Sequence, residues 1–463
     1  MQAGIKSRIT LMIQKVVLAL IFSGHAVAQS TIVPPPVPAS ATITAGNIIT
    51  GPGAQPNTVT RFAKISALSQ APDWKKLEAF ANTISRNDLE AALRDIYTDG
   101  STLPLPWRID KDALFIQTGD PTKPEVRIAL APRSEPPPET SRSWHRVLEF
   151  PAIKDKPPLS DIHIAIDPGH IGGNYAIMEE RYLSFQPSEA IQEGQLSLAT
   201  AIALAEKLKA LGAYVTLVRE NLEPVTTQRP PALRADALKV LAEAGITEPK
   251  ETYDGLTGDA KILTVQWQTE KLFYRVSEIH ARAQKVNATI KPDLVLCLHY
   301  NAEAWGAATA PQYSPANHYH ILVNGCYSPA EVEQADVRFD MFHRLLSRIH
   351  EEEIPLADAI SEGMRTATGL PPYIYTTNNA RRVSSNPGVY ARNLLANRLF
   401  DCPVIYLEPY VMNHEETYRR LLAGQYSGRT LIAGRLQSSA IDDYVRGVVQ
   451  GLVSYYQSHR KAL

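Results

Sequence analysis

Ile162–Gly173 reads IHIAIDPGHIGG. Apolar, mostly β-branched residues run up to Asp167, Pro168-Gly169 stops the run, and His170 stands just past its end. This is the pattern of a buried strand ending in a turn that presents an imidazole. In open α/β sheets, chemistry collects beyond the carboxyl ends of the strands. The other strands then decide which side chains reach His170.

Working outward, strands and helices alternate. Leu196–Leu211 carries Leu198, Ile202, Ala205 and Leu208 near helical spacing and ends at Gly212. Tyr214–Arg219 reads as a second strand, Val276–Val286 as a helix, Leu294–Tyr300 as a third strand and Tyr319–Val323 as a fourth. Residues 332–368 read as two helices broken at Pro355. Pro403–Glu408 is a further strand and Ile441–Tyr456 a closing helix. This alternation predicts an α/β fold, a mainly parallel sheet flanked by helices, over about 145–463.

Strands of one parallel sheet point the same way, so the residues just past their carboxyl ends gather at one edge. The first strand delivers His170, the third His299 in LVLCLHYNAE, and the late strand Glu408 in PVIYLEPY. Glu193 leads into the first long helix, whose N-terminus starts near that edge. Two imidazoles and one carboxylate form a common catalytic zinc set with a fourth position for water, whose pKa the ion would lower toward neutrality. The second carboxylate could act as general base. Alone, a histidine is more often a structural residue than a ligand, a glutamate before a helix more often a cap or dipole partner, and a glutamate ending a strand could simply be solvated.

Five ordered segments resemble the zinc-dependent N-acetylmuramoyl-L-alanine amidases of bacterial cell-wall turnover. Ile164–His170 resembles the opening strand with its D-P-G-H motif. Glu193–Ala199 (EGQLSLA) resembles the glutamate leading into an apolar helix, and Ala213–Arg219 (AYVTLVR) the strand ending in T-R. Asp293–Ala302 (DLVLCLHYNA) resembles the S-I-H-A-N-type strand, with Arg282–Asn287 preceding it. Pro403–Glu416 (PVIYLEPYVMNHEE) resembles the V-L-V-E stretch. The likeness covers roughly residues 160–460, with gaps. It implies an amidase/exopeptidase-like catalytic domain in which His170, Glu193 and His299 hold Zn2+ and Glu408 is the catalytic base. The implied substrate is the amide between N-acetylmuramic acid and L-alanine, in peptidoglycan or muropeptides. Two rival classes stay open: another zinc amide hydrolase of carboxypeptidase or deacylase type, and a non-catalytic wall-binding protein.

The chain also departs from that pattern. The stretch after His170 is long and carries Glu179, Glu180 and Arg181, so Glu179, Glu180 and Glu189 stay alternative ligands. Tyr300 and Pro409 replace small residues. An insert at about 221–270 precedes the helix leading to His299, and either gates the site or is a packed decoration.

Before the catalytic region, Lys6, Arg8 and Lys15, the apolar Val16–Phe22 and Ala26-Val27-Ala28 predict a signal peptide over 1–28. Residues 29–60 form a proline-rich linker. Residues 61–140 form a small α+β module, with helices opened by Asp73 and Ser85 and strands at Ala113–Ile116 and Val126–Leu130. The chain is thus expected to be exported to the periplasm, with no stable membrane insertion once the signal is cleaved. Among 463 residues, 47 Lys and Arg balance 48 Asp and Glu, which argues against a nucleic-acid partner; a protein activator stays open. Cys297, Cys326 and Cys402 form no metal or disulfide motif, and Cys297 and Cys402 read as buried hydrophobes. His318 and His320 share one strand face, which reads as a polar sheet face before a second metal site, and His163 is structural. Asn301 and Asn413 serve substrate or turns, Arg381-Arg382 meets carboxylates or solvent, and Asp167 orients His170 or caps its turn.

Overall fold

The computed structural model describes residues 62–461 apart from 102–104, 187–188, 305 and 308–309. The expected signal peptide and linker lie outside the described residues. The first described segment holds the short helices Trp74–Phe80 and Arg86–Ala92, capped by Asp73 and Ser85. A three-stranded antiparallel sheet comes next, made of β1 (Trp107–Ile109), β2 (Ala113–Gln117) and β3 (Glu125–Ala129). Its core residues Leu77, Phe80, Leu114 and Ile128 run without a break into Tyr327, Met341, Phe342 and Leu345. Buried Arg338 stitches the two parts together by donating to the carbonyls of Phe62 and Gln117.

The main region opens with β4 (His163–Pro168) and the hairpin β5 (Tyr182–Gln186) and β6 (Glu189–Gln192), which leads directly into the helix Glu193–Ala210. Then come β7 (Tyr214–Leu217), β8 (Leu294–Leu298), the short pair β9 (Gly306–Ala307) and β10 (Ala310–Pro311), and β11 (Tyr319–Val323). The last strands are β12 (Arg381–Arg382), β13 (Val389–Ala391) and β14 (Val404–Pro409) of the main sheet. Seven of these form one sheet in the order β12-β13-β11-β14-β8-β4-β7. β7, β4, β8 and β14 are mutually parallel; β11 pairs antiparallel with β14 and parallel with β13.

Both sheet faces are covered, which is why the strands read as near-continuous apolar runs. Ile164, Ile166, Leu296 and Leu407 pack toward the helices Glu193–Ala210, His350–Thr368 and Ala440–His459. Ala165, Val295, Cys297 and Tyr406 alternate with them and pack on the opposite face with Ala283 and Val286. The last two long helices approach closely: a Cβ on Gly363 would lie 2.2 Å from the carbonyl oxygen of Gly447.

The break expected at Pro355 falls earlier. Arg348 adopts φ 57° and turns the chain, whereas Pro355 lies inside the helix His350–Thr368. One missing amide hydrogen bond is outweighed by the face that this helix buries on Ala440–His459. The insert is folded. Leu233, Ala237 and Leu241 share a core with Phe273 and with Ile171, the residue after His170. No helix among the described residues is long and apolar enough to cross a membrane.

Candidate metal centre

The turn after β4 is shaped by the imidazole it must approach. Gly169 lies so close to His299 that a Cβ there would fall 2.2 Å from the imidazole Cε1. His170 comes next at φ 56°, a left-handed conformation uncommon for a non-glycine residue. Buried Arg282, on the helix Glu278–Gln284, holds this turn in place. It pairs with Asp167 at 2.9 Å and Glu278 at 2.7 Å. It also donates to the carbonyls of Pro168 at 2.8 Å and His170 at 2.9 Å. Asp167 therefore acts on the turn through Arg282. Arg219 adds a donor to the Gly194 carbonyl at 3.2 Å, tying the turn to the start of the Glu193–Ala210 helix.

His170, Glu193 and His299 meet beyond the ends of β4 and β8, each offering one ligand atom, all within 4.8 Å of one another. His170 Nε2 is 3.3 Å from Glu193 Oε2, and His299 Nδ1 is 3.1 Å from Glu193 Oε1. Two ligands of one tetrahedral zinc, each about 2.0–2.2 Å from the ion, keep a separation of about this size. Glu193 is 2 % exposed while His170 and His299 keep 17 % and 12 %, so the carboxylate lies deepest and the imidazole edges reach solvent. The Tyr300 amide donates to Glu193 Oε1 at 3.1 Å. The ring of Tyr406 stacks on His299, centroids 4.3 Å apart.

Glu179, an alternative ligand in the sequence, stands behind His170. Its Oε1 lies 3.5 Å from His170 Nδ1, and the carboxylate accepts from the amides of Ile171 and Gly172. A carboxylate on the far nitrogen is the usual device for fixing the tautomer and ring of a metal-binding histidine. Glu180 pairs with Lys261 at 2.7 Å, and Glu189 sits in β6. Arg181 Nε reaches Glu193 Oε2 at 3.0 Å, so a fixed cation already flanks the carboxylate.

The protonation states of the group suit ligation. Burial raises the Glu193 carboxyl pKa, but His170, the hydrogen bond from His299, and Arg181 outweigh it and bring it below the ordinary value. Burial, aided by the Arg181 and His299 charges, pushes the His170 imidazole well below its ordinary pKa against the pull of Glu193. The group is thus an ionised carboxylate beside a neutral imidazole, the forms that ligate metals.

Glu408, at the end of β14, stands beside this group with its side chain 20 % exposed. Its partner is His320, opposite it in the β11–β14 register, whose Nε2 contacts Oε2. Burial raises the Glu408 pKa, but the charge that His320 carries when protonated, its hydrogen bond, and His299 and Arg392 bring it down to about 2. His318 and His320, the polar face of β11, are both buried, at 6 % and 0 %. His318 Nε2 lies 3.2 Å from Glu303 Oε1, and His320 pairs with Glu408. The one sequence signal for His320 was its two-residue spacing from His318. The missing information was that β11 runs against β14, which brings its beginning to the edge where β14 ends.

The remaining candidates make contacts within the fold. Asn301 Oδ1 accepts from the neighbouring Ala302 amide, and Asn413 Oδ1 accepts from the Glu303 amide, 110 residues away along the chain. Arg381 and Arg382 donate to backbone carbonyls of Thr98, Ser384 and Ser385. His163 bonds Thr216 at 2.9 Å. All three cysteines are buried and unpaired.

No protein-family model and no curated protein matches the chain. Solved chains similar to it in structure include the N-acetylmuramyl-L-alanine amidase Ami1 from Mycobacterium abscessus. That chain is 16 % identical, with 64 % of this chain and 99 % of that one covered and a TM-score of 0.33. The CwlD amidase from Clostridioides difficile, solved in complex with the GerS lipoprotein, is 12 % identical over 64 % and 99 %, with a TM-score of 0.35. The N-acetylmuramoyl-L-alanine amidase AmiC2 of Nostoc punctiforme is 12 % identical over 65 % and 99 %, with a TM-score of 0.33. Likeness at this level establishes neither the activity nor the cofactor of this chain.

Proposed function

We propose that the chain is a zinc-dependent N-acetylmuramoyl-L-alanine amidase, exported to the periplasm and acting on peptidoglycan or muropeptides. One observation carries the reading: two histidines and a buried glutamate offer ligand atoms within 4.8 Å of one another, and a second, ionised glutamate stands at the same sheet edge. The donor chemistry fits zinc with an open fourth position, as in catalytic rather than structural sites.

His170, Glu193 and His299 would hold the ion, with Glu179 fixing the His170 ring and Tyr406 backing the His299 ring. Zinc held there would supply a lowered water pKa and Lewis-acid polarisation of the substrate carbonyl. Glu408 takes a proton from the attacking water and delivers it to the leaving nitrogen of L-alanine. Its depressed pKa keeps it ionised, the state in which it can accept that proton. Arg282 and Arg219 keep the turn rigid, which a ligand set built on a loop requires.

Metal content and cleavage together test this. The chain beginning at residue 29 is purified, its metal measured, and peptidoglycan digested beside a Glu408→Ala variant. Release of peptides with new L-alanine amino termini, lost in the variant while zinc stays bound, is the expected outcome. Bound zinc without peptide release would move the substrate to another amide. Absence of zinc from both proteins would leave a wall-binding role instead.

A further inference from the structure

Glu408 is one end of a buried polar chain that crosses the sheet edge away from the three candidate ligands. His320 Nε2 contacts Glu408 Oε2. His320 Nδ1 lies 3.3 Å from the Tyr375 hydroxyl, and Arg392 Nη1 donates to that hydroxyl at 3.1 Å. Because a guanidinium can only donate, the Tyr375 oxygen is the acceptor there. Its own proton is then free for His320 Nδ1. Burial pushes the Tyr375 pKa up, so that proton stays on the phenol. The chain thus runs in one sense, from Arg392 through Tyr375 and His320 to Glu408. It sets His320 as the Nε2–H tautomer, donating to the carboxylate.

We infer that His320 is a positioning residue for Glu408: it ties down Oε2 and fixes the carboxylate plane, so that Oε1 is the oxygen available for proton transfer. Among the described residues nothing pairs with Oε1, while Oε2 is held. Side-chain rotation is restricted further by the stacking of Tyr375 on His320, with centroids 5.5 Å apart and 18° between planes. The groups facing His320 from the elements packed against it are Glu408 on β14, Tyr373 and Tyr375 on the loop before β12, and His318 on its own strand. His318 itself is engaged by Glu303. The role concerns geometry and transfers no proton, so His320 keeps the same proton before and after the reaction.

This inference rests on the amidase reading, and the experiment separates the two. Zinc-loaded wild type, His320→Ala, His320→Gln and Tyr375→Phe are compared on a soluble muropeptide for kcat, KM and metal content, with folding checked by circular dichroism and urea unfolding. The expected result is a fall in kcat of about 10- to 100-fold in His320→Ala, with KM and zinc unchanged, because a misplaced base loses part of its contribution. His320→Gln, which keeps one N–H donor in place, recovers most of that loss. Tyr375→Phe, which leaves His320 in place and removes only the hydroxyl, falls in kcat by a few-fold and still measures the role if a His320 variant fails to fold. A cleaving wild type whose folded His320→Ala and Tyr375→Phe variants keep its kcat overturns the positioning role alone. So does a folded His320→Gln no better than His320→Ala. A wild type that holds zinc but cleaves no muropeptide overturns the amidase reading, and the inference falls with it.

Discussion

Gly169→Ala isolates the geometry of the metal centre with one methyl group. The backbone at Gly169 lies outside the left-handed region, so alanine brings no backbone strain of its own. The added Cβ, however, would fall 2.2 Å from His299 Cε1 and 2.3 Å from Nε2. Non-bonded carbons need about 3.5 Å, so the ring would have to retreat by more than about 1 Å. It cannot retreat freely, because Tyr406 is already stacked on it. Nor can the turn back away easily, since the Gly169 amide donates to the Leu298 carbonyl at 2.8 Å and Arg282 grips both sides. Overpacking of this kind costs about 1–3 kcal/mol of stability. Metal sites tolerate only about 0.2 Å in ligand distance, so a ring displaced this far should leave the ligand set. We expect zinc affinity to fall at least about 100-fold, equivalent to about 2.7 kcal/mol, with the fold retained. A competition titration against a chromophoric chelator measures the affinity, and urea unfolding of the metal-free protein measures the stability. A variant that unfolds like wild type and binds zinc within about threefold of it would refute the close-approach reasoning and the place of His299 in the site.

Three further perturbations test the same geometry. Arg282→Met leaves the Asp167 and Glu278 carboxylates buried without their cation, and should cost about 3–5 kcal/mol in urea unfolding; a loss under about 1 kcal/mol would show that the turn is held by other groups. Chelation should abolish hydrolysis without unfolding the protein, because Glu193 keeps the Arg181 guanidinium and the Tyr300 amide; added zinc should restore it, and activity persisting in excess chelator would remove the metal from the mechanism. Burial, with Arg348, Arg146 and Arg344, lowers the His350 pKa from 6.5 to about 4 against the pull of Glu351. Within that window the unfolded chain therefore binds the extra proton. Stability present above the unfolded value should drain away as pH falls through the window, by up to about 3 kcal/mol, and His350→Gln should flatten this limb of the stability profile.

The sequence carried the parts of the fold that depend on local pattern. Strand edges at 162–167, 294–300 and 403–408 land within two residues of β4, β8 and β14, because strands buried on both faces leave long apolar runs. The residues at strand ends and at the helix start do meet, because parallel strands send their carboxyl ends to one edge. Strand direction was invisible. Nothing local in YHILV shows that β11 is reversed, and so His320 read as sheet-face polarity rather than as the partner of Glu408. Pro355 misled for the opposite reason: a strong local breaker was overruled by tertiary packing. Glu179 read only as an alternative ligand and Arg282 only as part of a helix, since the roles they take depend on contacts 8 and 115 residues along the chain.

The uninterrupted core beneath β1–β3 has a consequence for how the protein unfolds. Tyr327, Met341, Phe342 and Leu345 belong to the same chain region as the large sheet, yet their cover comes from Leu77, Phe80, Leu114 and Ile128. Removing residues 62–131 would lay that apolar layer open to water, a contiguous surface of the kind that drives self-association. The first segment and the α/β region should therefore melt as one cooperative unit, and a chain cut in the proline-rich stretch 132–138 should be sticky rather than merely shorter.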